Sequence, residues 1–188
     1  MTFLENAGQY ISLGFTHVLP LGWDHILFIL SLFFLNSKMK SVIIQCSIFT
    51  VAHSISLGLA AAGLIIPNAN YIEPLIAFSI LFTAIENIMN EQVNPFRMIV
   101  IFVFGLIHGL GFATALHDIG IPKEQFISSL LSFNLGVELG QIIIILLAYF
   151  AISKWFANKS WYKERIVFPI SGVIASIALY WTIERIVL

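Results

Sequence analysis

Histidine and carboxylate side chains interrupt long apolar runs in this 188-residue sequence. If these runs cross a bilayer, each ionisable side chain costs about 2.5–3.5 kcal/mol on insertion scales, so such residues usually mark a function. Imidazole and carboxylate groups together suit divalent nickel, cobalt, zinc or non-haem iron as ligands. We therefore predict a site for such a metal with six candidate ligands: His17, Asp24, His25, His53, His108 and Glu138.

Polar residues at helical spacing accompany the candidate ligands. Asn134, Glu138 and Gln141 are separated by four and three residues, which places them on one face of a helix. Ser54 directly follows His53. Because hydrogen bonds from neighbouring groups orient the imidazoles of metal sites, we expect three residues to act in this way: Ser54, Asn134 and Gln141.

Glycine and proline residues stand where they could bring distant ligands together. His108 lies in the segment 105–111, whose glycines leave a bare helix surface that a neighbouring helix can approach closely. Pro20 and Gly22 follow His17 and can bend the chain back over its own site. The candidate ligands therefore need not be close in sequence to meet in space.

The composition of the chain indicates that these elements lie in a membrane. Hydrophobic residues make up 59% of the chain and charged residues 10%, whereas a soluble domain has about 25% charged residues. The net charge of -1 gives no indication of a nucleic acid partner. The segment from Met1 to Gln9 has no Lys or Arg ahead of an apolar stretch, so we expect no cleaved signal peptide.

We predict an all-α fold in which residues 1–188 form a single transmembrane domain, a polytopic helix bundle with about six spans over residues 21–186. Apolar runs of about 20 residues define the spans, with these approximate limits: Leu21–Asn36, Ser41–Ile66, Ile72–Met89, Met98–Leu116, Gln125–Lys154 and Ile166–Ile186. In residues 1–19, apolar positions recur at helical spacing. We expect an amphipathic interfacial helix there, with a seventh, partly polar span as the alternative.

Basic residues are distributed unequally between alternate loops. Two lie on one side, Lys123 and Arg185, and seven lie on the other: Lys38, Lys40, Arg97, Lys154, Lys159, Lys163 and Arg165. By the positive-inside rule, the first, third and fifth loops are cytoplasmic and both termini are outside, as in a multi-pass protein of the bacterial inner membrane. The candidate ligands then lie between the outer surface and the midplane, and Glu86 is the one carboxylate expected in the inner half.

Five motifs of the chain resemble the HupE/UreJ family. In chain order they are Thr16-His17, Gly22-x-Asp24-His25, Phe49-Thr50-x-Ala52-His53-Ser54, His108-Gly109-x-Gly111-Phe112-Ala113 and Phe133-Asn134-x-Gly136-Val137-Glu138-x-Gly140-Gln141. The resemblance extends from about Phe15 to Gln141, and its last motif is long and fairly specific. Members of this family are membrane proteins associated with hydrogenase and urease systems and are usually described as nickel or cobalt permeases. The resemblance therefore implies nickel or cobalt, while the residues alone indicate a borderline divalent metal.

We interpret the chain as a transporter that admits a divalent metal ion from the outer side. His17 and the Asp24–His25 pair would capture the ion at the outer mouth. Three residues would hold it near the midplane: His53, His108 and Glu138. The partners to consider are the metal ion, membrane lipid and a second copy of the chain.

Two other functions remain open at the level of sequence. Three histidines with carboxylates could hold zinc, keep an open coordination position and activate water. Asp24, Ser54 and Glu138 would then serve an intramembrane hydrolase that acts on a lipid or a peptide. The other alternative is a metal sensor or a chaperone-like partner for metalloenzyme assembly. A transporter needs a polar path beyond the site, whereas a hydrolase needs an open coordination position that faces a lipid-accessible cleft.

Overall fold

A computed structural model describes residues 2–35, 38–90, 96–119 and 123–187, with side chains described outside residues 114–123. Within these ranges the chain is helical and contains no strand. The helices are α1 (Phe3–Val18), α2 (Trp23–Leu35), α3 (Met39–Ala61), α4 (Ala69–Met89), α5 (Phe96–Ile119), α6 (Phe126–Ala148) and α7 (Phe168–Val187). The predicted all-α membrane bundle is confirmed.

Local sequence explains where several helices begin. Thr2 and Glu5 form a capping box, in which each side chain accepts a hydrogen bond from the backbone of the other residue. The Asn68 side chain accepts from the backbone of Asn70 over 3.0 Å and starts α4. A π-helical turn at Tyr149–Ser153 continues α6 to Phe156, and another at Lys163–Val167 precedes α7.

Among the described residues, five helical segments are long and apolar enough to cross a membrane: Met39–Ala61, Ala69–Met89, Phe96–Ala113, Phe126–Phe156 and Lys163–Val187. Large apolar side chains remain exposed on their outward faces, for example Val51, Phe78, Leu139 and Val173. A water-soluble protein would not leave so much apolar surface uncovered. The chain is therefore a multi-pass membrane protein.

The first predicted span, Leu21–Asn36, needs correction. Its end at Asn36 lies outside the described residues, and α2 has only 13 residues. A helix of that length extends about 20 Å, which is less than the thickness of a bilayer core of about 30 Å. The α1–α2 pair passes the test for a span only together, with a bend of 70° between the two helices. The described residues thus provide five helices that could span the membrane, or six spans if the bent pair is one broken span.

Helix α1 is amphipathic, as expected, yet it packs lengthwise against α6. Asn6 donates a hydrogen bond from Nδ2 to Ser129 Oγ over 2.8 Å near the start of both helices. Further along, a β-carbon at Gly14 would collide with the backbone of Phe133, and one at Gly136 would collide with the backbone of Ile11. The contacts advance in the same direction on both helices, so α1 runs parallel to α6. This refines the expectation of an interfacial helix, because α1 belongs to the bundle.

Glycine also sets the distance between α3 and α5, as the sequence predicts. A β-carbon at Gly105 would lie 2.6 Å from the carbonyl oxygen of Phe49, and one at Gly109 would collide with the carbonyl oxygen of His53. The two backbones can approach this closely only because both positions lack a side chain. This contact brings His53 and His108 to one level of the bundle.

Candidate metal centre

Three histidines from three different helices meet inside the bundle. His17 lies at the end of α1, His25 at the start of α2 and His53 within α3. One ring nitrogen from each residue lies within 4.8 Å of the corresponding nitrogen of the other two. Three equally spaced imidazole nitrogens that share one ion at about 2.1 Å can be at most about 3.6 Å apart. A closing movement of less than about 1 Å by each nitrogen would therefore let the three residues, here called the histidine cluster, bind one metal ion.

Four of the six ring nitrogens in the histidine cluster lack hydrogen-bond partners within the described part of the chain. These atoms are Nε2 of His17, Nε2 of His25 and both ring nitrogens of His53. His53 is completely buried, and His25 is 5% exposed. Buried polar atoms are nearly always satisfied in native proteins, so a set of unpaired nitrogens that face one another indicates a ligand site.

His108 lies beside the cluster, and its tautomer follows from its neighbour. Its ring centroid is 5.2 Å from that of His25, and its Nε2 is 2.8 Å from Ser79 Oγ. The single hydroxyl proton of Ser79 is donated to the carbonyl oxygen of Ile76 over 2.7 Å. Nε2 of His108 must therefore be the donor, and its Nδ1, which has no described partner, carries a free lone pair. Sequence reasoning missed Ser79, because a lone hydroxyl in an apolar span resembles a packing residue.

Asp24 lies at the edge of the site rather than within the cluster. Both carboxylate oxygens of Asp24 lie 3.1 Å from Nη2 of Arg185, near the end of α7. The same guanidinium donates from Nη1 to the backbone oxygen of Glu73 over 3.2 Å. Arg185 thus connects α2, α4 and α7. The sequence shows Arg185 only as a basic residue near the outer surface, because its partner is 161 positions away.

Glu138 and Gln141 form a second polar group against α3. The Glu138 carboxylate accepts hydrogen bonds from Ser47 Oγ over 3.0 Å and from Thr50 Oγ1 over 2.7 Å. Gln141 donates from Nε2 to Thr50 Oγ1 over 3.0 Å. Both residues lie on one face of α6, as their spacing predicts. That face contacts the hydroxyl groups of Ser47 and Thr50 on α3 and not the imidazoles. The structure therefore does not bring Glu138 into the histidine cluster.

The other two residues expected to orient imidazoles make local contacts. Ser54 donates to the Thr50 carbonyl oxygen over 2.6 Å, within its own helix. Asn134 donates to the Leu130 carbonyl oxygen over 2.7 Å. Its amide oxygen has no hydrogen-bond partner among the described residues and lies beside His53. Asn134 is thus placed to contact the cluster, whereas Ser54 is not.

Phenylalanine rings enclose the histidines. The ring centroid of Phe112 is 3.9 Å from that of His17, and Phe133 stacks at 14° on His53. Phe49 stands edge-on to His25 at 5.8 Å. These rings cover part of the imidazoles with apolar surface, and electrostatic interactions become stronger in a medium of low dielectric constant.

A cavity of about 630 Å³ leads to the histidines. His17, His25 and His108 line its inner wall, and its other polar side chains include Asp24, Glu73 and Arg185. His53 is absent from the lining and lies behind the other members of the cluster.

Below the histidines, toward the other end of α5, buried apolar side chains fill the described part of the bundle. Phe104 and Ile101 are buried on α5 between His108 and Arg97. Arg97 pairs with Glu86 and donates from Nε to Gln45 Oε1 over 2.9 Å. The sequence places Arg97 in a loop, but it lies in α5 and is 1% exposed. Glu86 is therefore held in an ion pair in this conformation.

Comparisons with known proteins agree with the motifs. The family model described as HupE / UreJ protein matches residues 2–185, which is nearly the whole chain. No curated protein and no solved structure matches the chain. The family match includes every residue of the histidine cluster and extends well beyond the motif region of about Phe15 to Gln141. The chain therefore belongs to the HupE/UreJ family.

Proposed function

We propose that this protein binds a divalent transition metal ion, nickel or cobalt, and transports it across the bacterial inner membrane. The observation that carries the proposal is the meeting of three imidazoles with unpaired nitrogens at the inner end of a cavity. Imidazole is a suitable ligand for nickel and cobalt. The association of the HupE/UreJ family with nickel or cobalt supports the same choice of metal.

The order of charged and neutral groups suits the capture of a cation. In the wall of the cavity, Glu73 is exposed and Asp24 is partly buried, whereas the imidazoles of His25 and His108 are buried. Carboxylates attract a hydrated cation, and imidazoles then replace its water molecules. In the orientation predicted from the basic residues, the cavity opens on the outer side of the membrane.

Passage to the other side requires a change of conformation, because buried apolar side chains close the bundle below the site. The α1–α2 bend is the candidate moving part. His17 and His25 lie on either side of this 70° bend, whereas His53 belongs to the long helix α3. A change in the bend angle would move two ligands relative to the third and would weaken metal binding at one stage of transport.

The hydrolase alternative gains no support from the described residues. The three side chains expected to act in catalysis all have other partners: Asp24 pairs with Arg185, Ser54 donates to Thr50, and Glu138 accepts from Ser47 and Thr50. Among the described contacts, each of the three is thus engaged by a partner outside the histidine cluster.

Transport can be measured in proteoliposomes that contain a nickel-sensitive dye. We expect nickel to enter vesicles that carry the wild-type protein and to enter much more slowly with His25→Ala or His53→Ala. Ser176→Ala is the control, because Ser176 is exposed on α7 and bonds only to the Gly172 carbonyl oxygen of its own helix. Tight binding of nickel without transport would reject the transporter and leave a metal-binding protein.

A further inference from the structure

The cavity is much larger than a metal ion requires. Its volume of about 630 Å³ is within the range of about 300–1,000 Å³ that is typical of small-molecule sites. Six water molecules around an ion occupy only about 200 Å³, since each water takes about 30 Å³. Indole rings of Trp23 and Trp181 form part of the wall. The dimensions and the aromatic lining therefore suit a small organic molecule together with the ion.

The charges around the cavity do not neutralise a bound dication. The described charged side chains in its wall are two carboxylates, Asp24 and Glu73, and one guanidinium, Arg185. The charge of Asp24 is already balanced by Arg185, and Glu73 is exposed. Glu138 does not line the cavity, and its carboxylate accepts hydrogen bonds from two hydroxyl groups of α3. A dication held by three neutral imidazoles among phenylalanine rings would thus be poorly compensated, which is costly in a medium of low dielectric constant.

Arg185 is an unexpected residue in the wall of a cation site, because a guanidinium repels an incoming dication. Its planar group presents five donors in a fixed arrangement that matches a carboxylate. The described contacts use Nη1 for the Glu73 backbone and Nη2 for Asp24, and the guanidinium carbon lies 5.4 Å from the Trp181 ring. The guanidinium is thus held in place at the cavity wall and can exchange one carboxylate for another.

We propose that the protein receives its metal as a complex with a small carboxylate ligand. This inference rests on the proposed function and adds the chemical class of the substrate. The carboxylate of the complex binds Arg185, while the metal faces the imidazoles of His17 and His25. The incoming carboxylate displaces Asp24 from Arg185. Asp24 then becomes available beside His25, where its negative charge compensates that of the metal.

The test measures binding of two labels to the purified protein by equilibrium dialysis. The probes are radioactive nickel alone and the nickel–citrate complex with carbon-labelled citrate. We expect wild type to retain nickel and citrate together. Arg185→Gln should weaken binding of nickel–citrate by about tenfold or more, while binding of nickel alone changes by less than about twofold. The nickel complex of ethylenediamine, which has no carboxylate, should bind equally to both proteins.

Two further variants address a structural role of Arg185. Asp24→Asn removes the partner of Arg185 but leaves the guanidinium, so it should retain citrate. Arg185→Lys keeps the charge without the planar donor group, and its affinity for nickel–citrate should lie between those of wild type and Arg185→Gln.

The possible outcomes separate this inference from the proposed function. Retention of nickel without citrate by wild type would overturn the carboxylate complex and leave the metal site intact. An equal loss of nickel alone and nickel–citrate in Arg185→Gln would also overturn it, because Arg185 would then only hold the helices together. Failure of wild type to bind nickel in either form would overturn both proposals.

Discussion

His108 donates a hydrogen bond from Nε2 to Ser79 Oγ, and this contact leaves Nδ1 as the ring nitrogen with a free lone pair. Ser79 lies on α4 and His108 on α5, so a hydroxyl group of α4 sets the tautomer of an imidazole on α5. The ring of His108 stands 5.2 Å from that of His25. With its free Nδ1 lone pair beside His25, His108 is positioned to bind the metal as an additional ligand or to orient the His25 imidazole.

Replacement of Ser79 should weaken metal binding, although Ser79 acts only through His108 and does not contact the metal itself. In Ser79→Ala the Nε2 proton of His108 loses its acceptor, so the imidazole can rotate or change tautomer. Loss of such an orienting partner typically lowers metal affinity by about 10- to 100-fold, which isothermal titration calorimetry with nickel would detect. Thr83→Ala is the control, because the Thr83 hydroxyl bonds only to carbonyl oxygens of its own helix. Equal affinities of Ser79→Ala and wild type would show that His108 does not contribute.

The close contact of α3 and α5 predicts that two glycine-to-alanine substitutions differ in their effects on stability and nickel binding. In Gly109→Ala the new β-carbon would collide with Ser56 Oγ and the His53 carbonyl oxygen, so α3 and α5 must separate. We expect a lower unfolding temperature in detergent and loss of nickel binding. In Gly172→Ala the β-carbon meets no atom within 4 Å, and alanine favours a helix by about 1 kcal/mol, so stability should be equal or higher. Similar behaviour of the two variants would contradict the packing.

A substitution of Glu138 tests whether its contacts with α3 are separate from the histidine cluster. Because its carboxylate accepts from Ser47 and Thr50, Glu138→Gln should lower the free energy of unfolding by about 1–3 kcal/mol. Its affinity for nickel should remain close to that of wild type, whereas His53→Ala should lose it. Chemical unfolding and nickel titration on the same samples distinguish the two effects. A loss of nickel binding as large as that of His53→Ala would instead make Glu138 a ligand.

The buried pair of Arg97 and Glu86 predicts a non-additive effect on stability. Removal of one partner from a buried pair leaves an uncompensated charge, so Arg97→Met should cost about 3 kcal/mol or more. The double variant Arg97→Met with Glu86→Leu should recover much of this loss, because the pair is replaced by apolar side chains. Chemical unfolding of the two single variants and the double variant completes the cycle. Additive losses would show that the two charges do not depend on each other.

Much of the fold could be predicted because lipid-facing helices require long apolar runs. The predicted span Ile72–Met89 ends at the same residue as α4, and Gln125–Lys154 agrees closely with the extended α6. Pro20 and Gly22 correctly indicate a bend, but the first span could not be placed correctly, because apolar periodicity gives neither the 13-residue length of α2 nor the 70° angle between α1 and α2. At the bend, Gly22 lies so close to the His17 carbonyl oxygen that a β-carbon would collide with it.

The site was partly predictable for a similar reason. His17, His25 and His53 stand out because ionisable residues are rare in apolar segments, and the structure brings them together. The spacing of Glu138 correctly indicates a helix face but not the surface that this face meets. Ser79 and Arg185 act through partners in distant segments, so neither stands out in the sequence.

The nickel content of the purified protein shows whether the histidine cluster binds metal. The protein is incubated with nickel and separated from free ions, and the bound metal is counted by mass spectrometry for wild type, His17→Ala, His25→Ala, His53→Ala and the control Ser176→Ala. We expect one nickel ion per protein molecule in wild type and in the control, and its loss in each histidine variant. The absence of bound nickel in wild type, or its retention in all three histidine variants, would contradict a metal site at the histidine cluster.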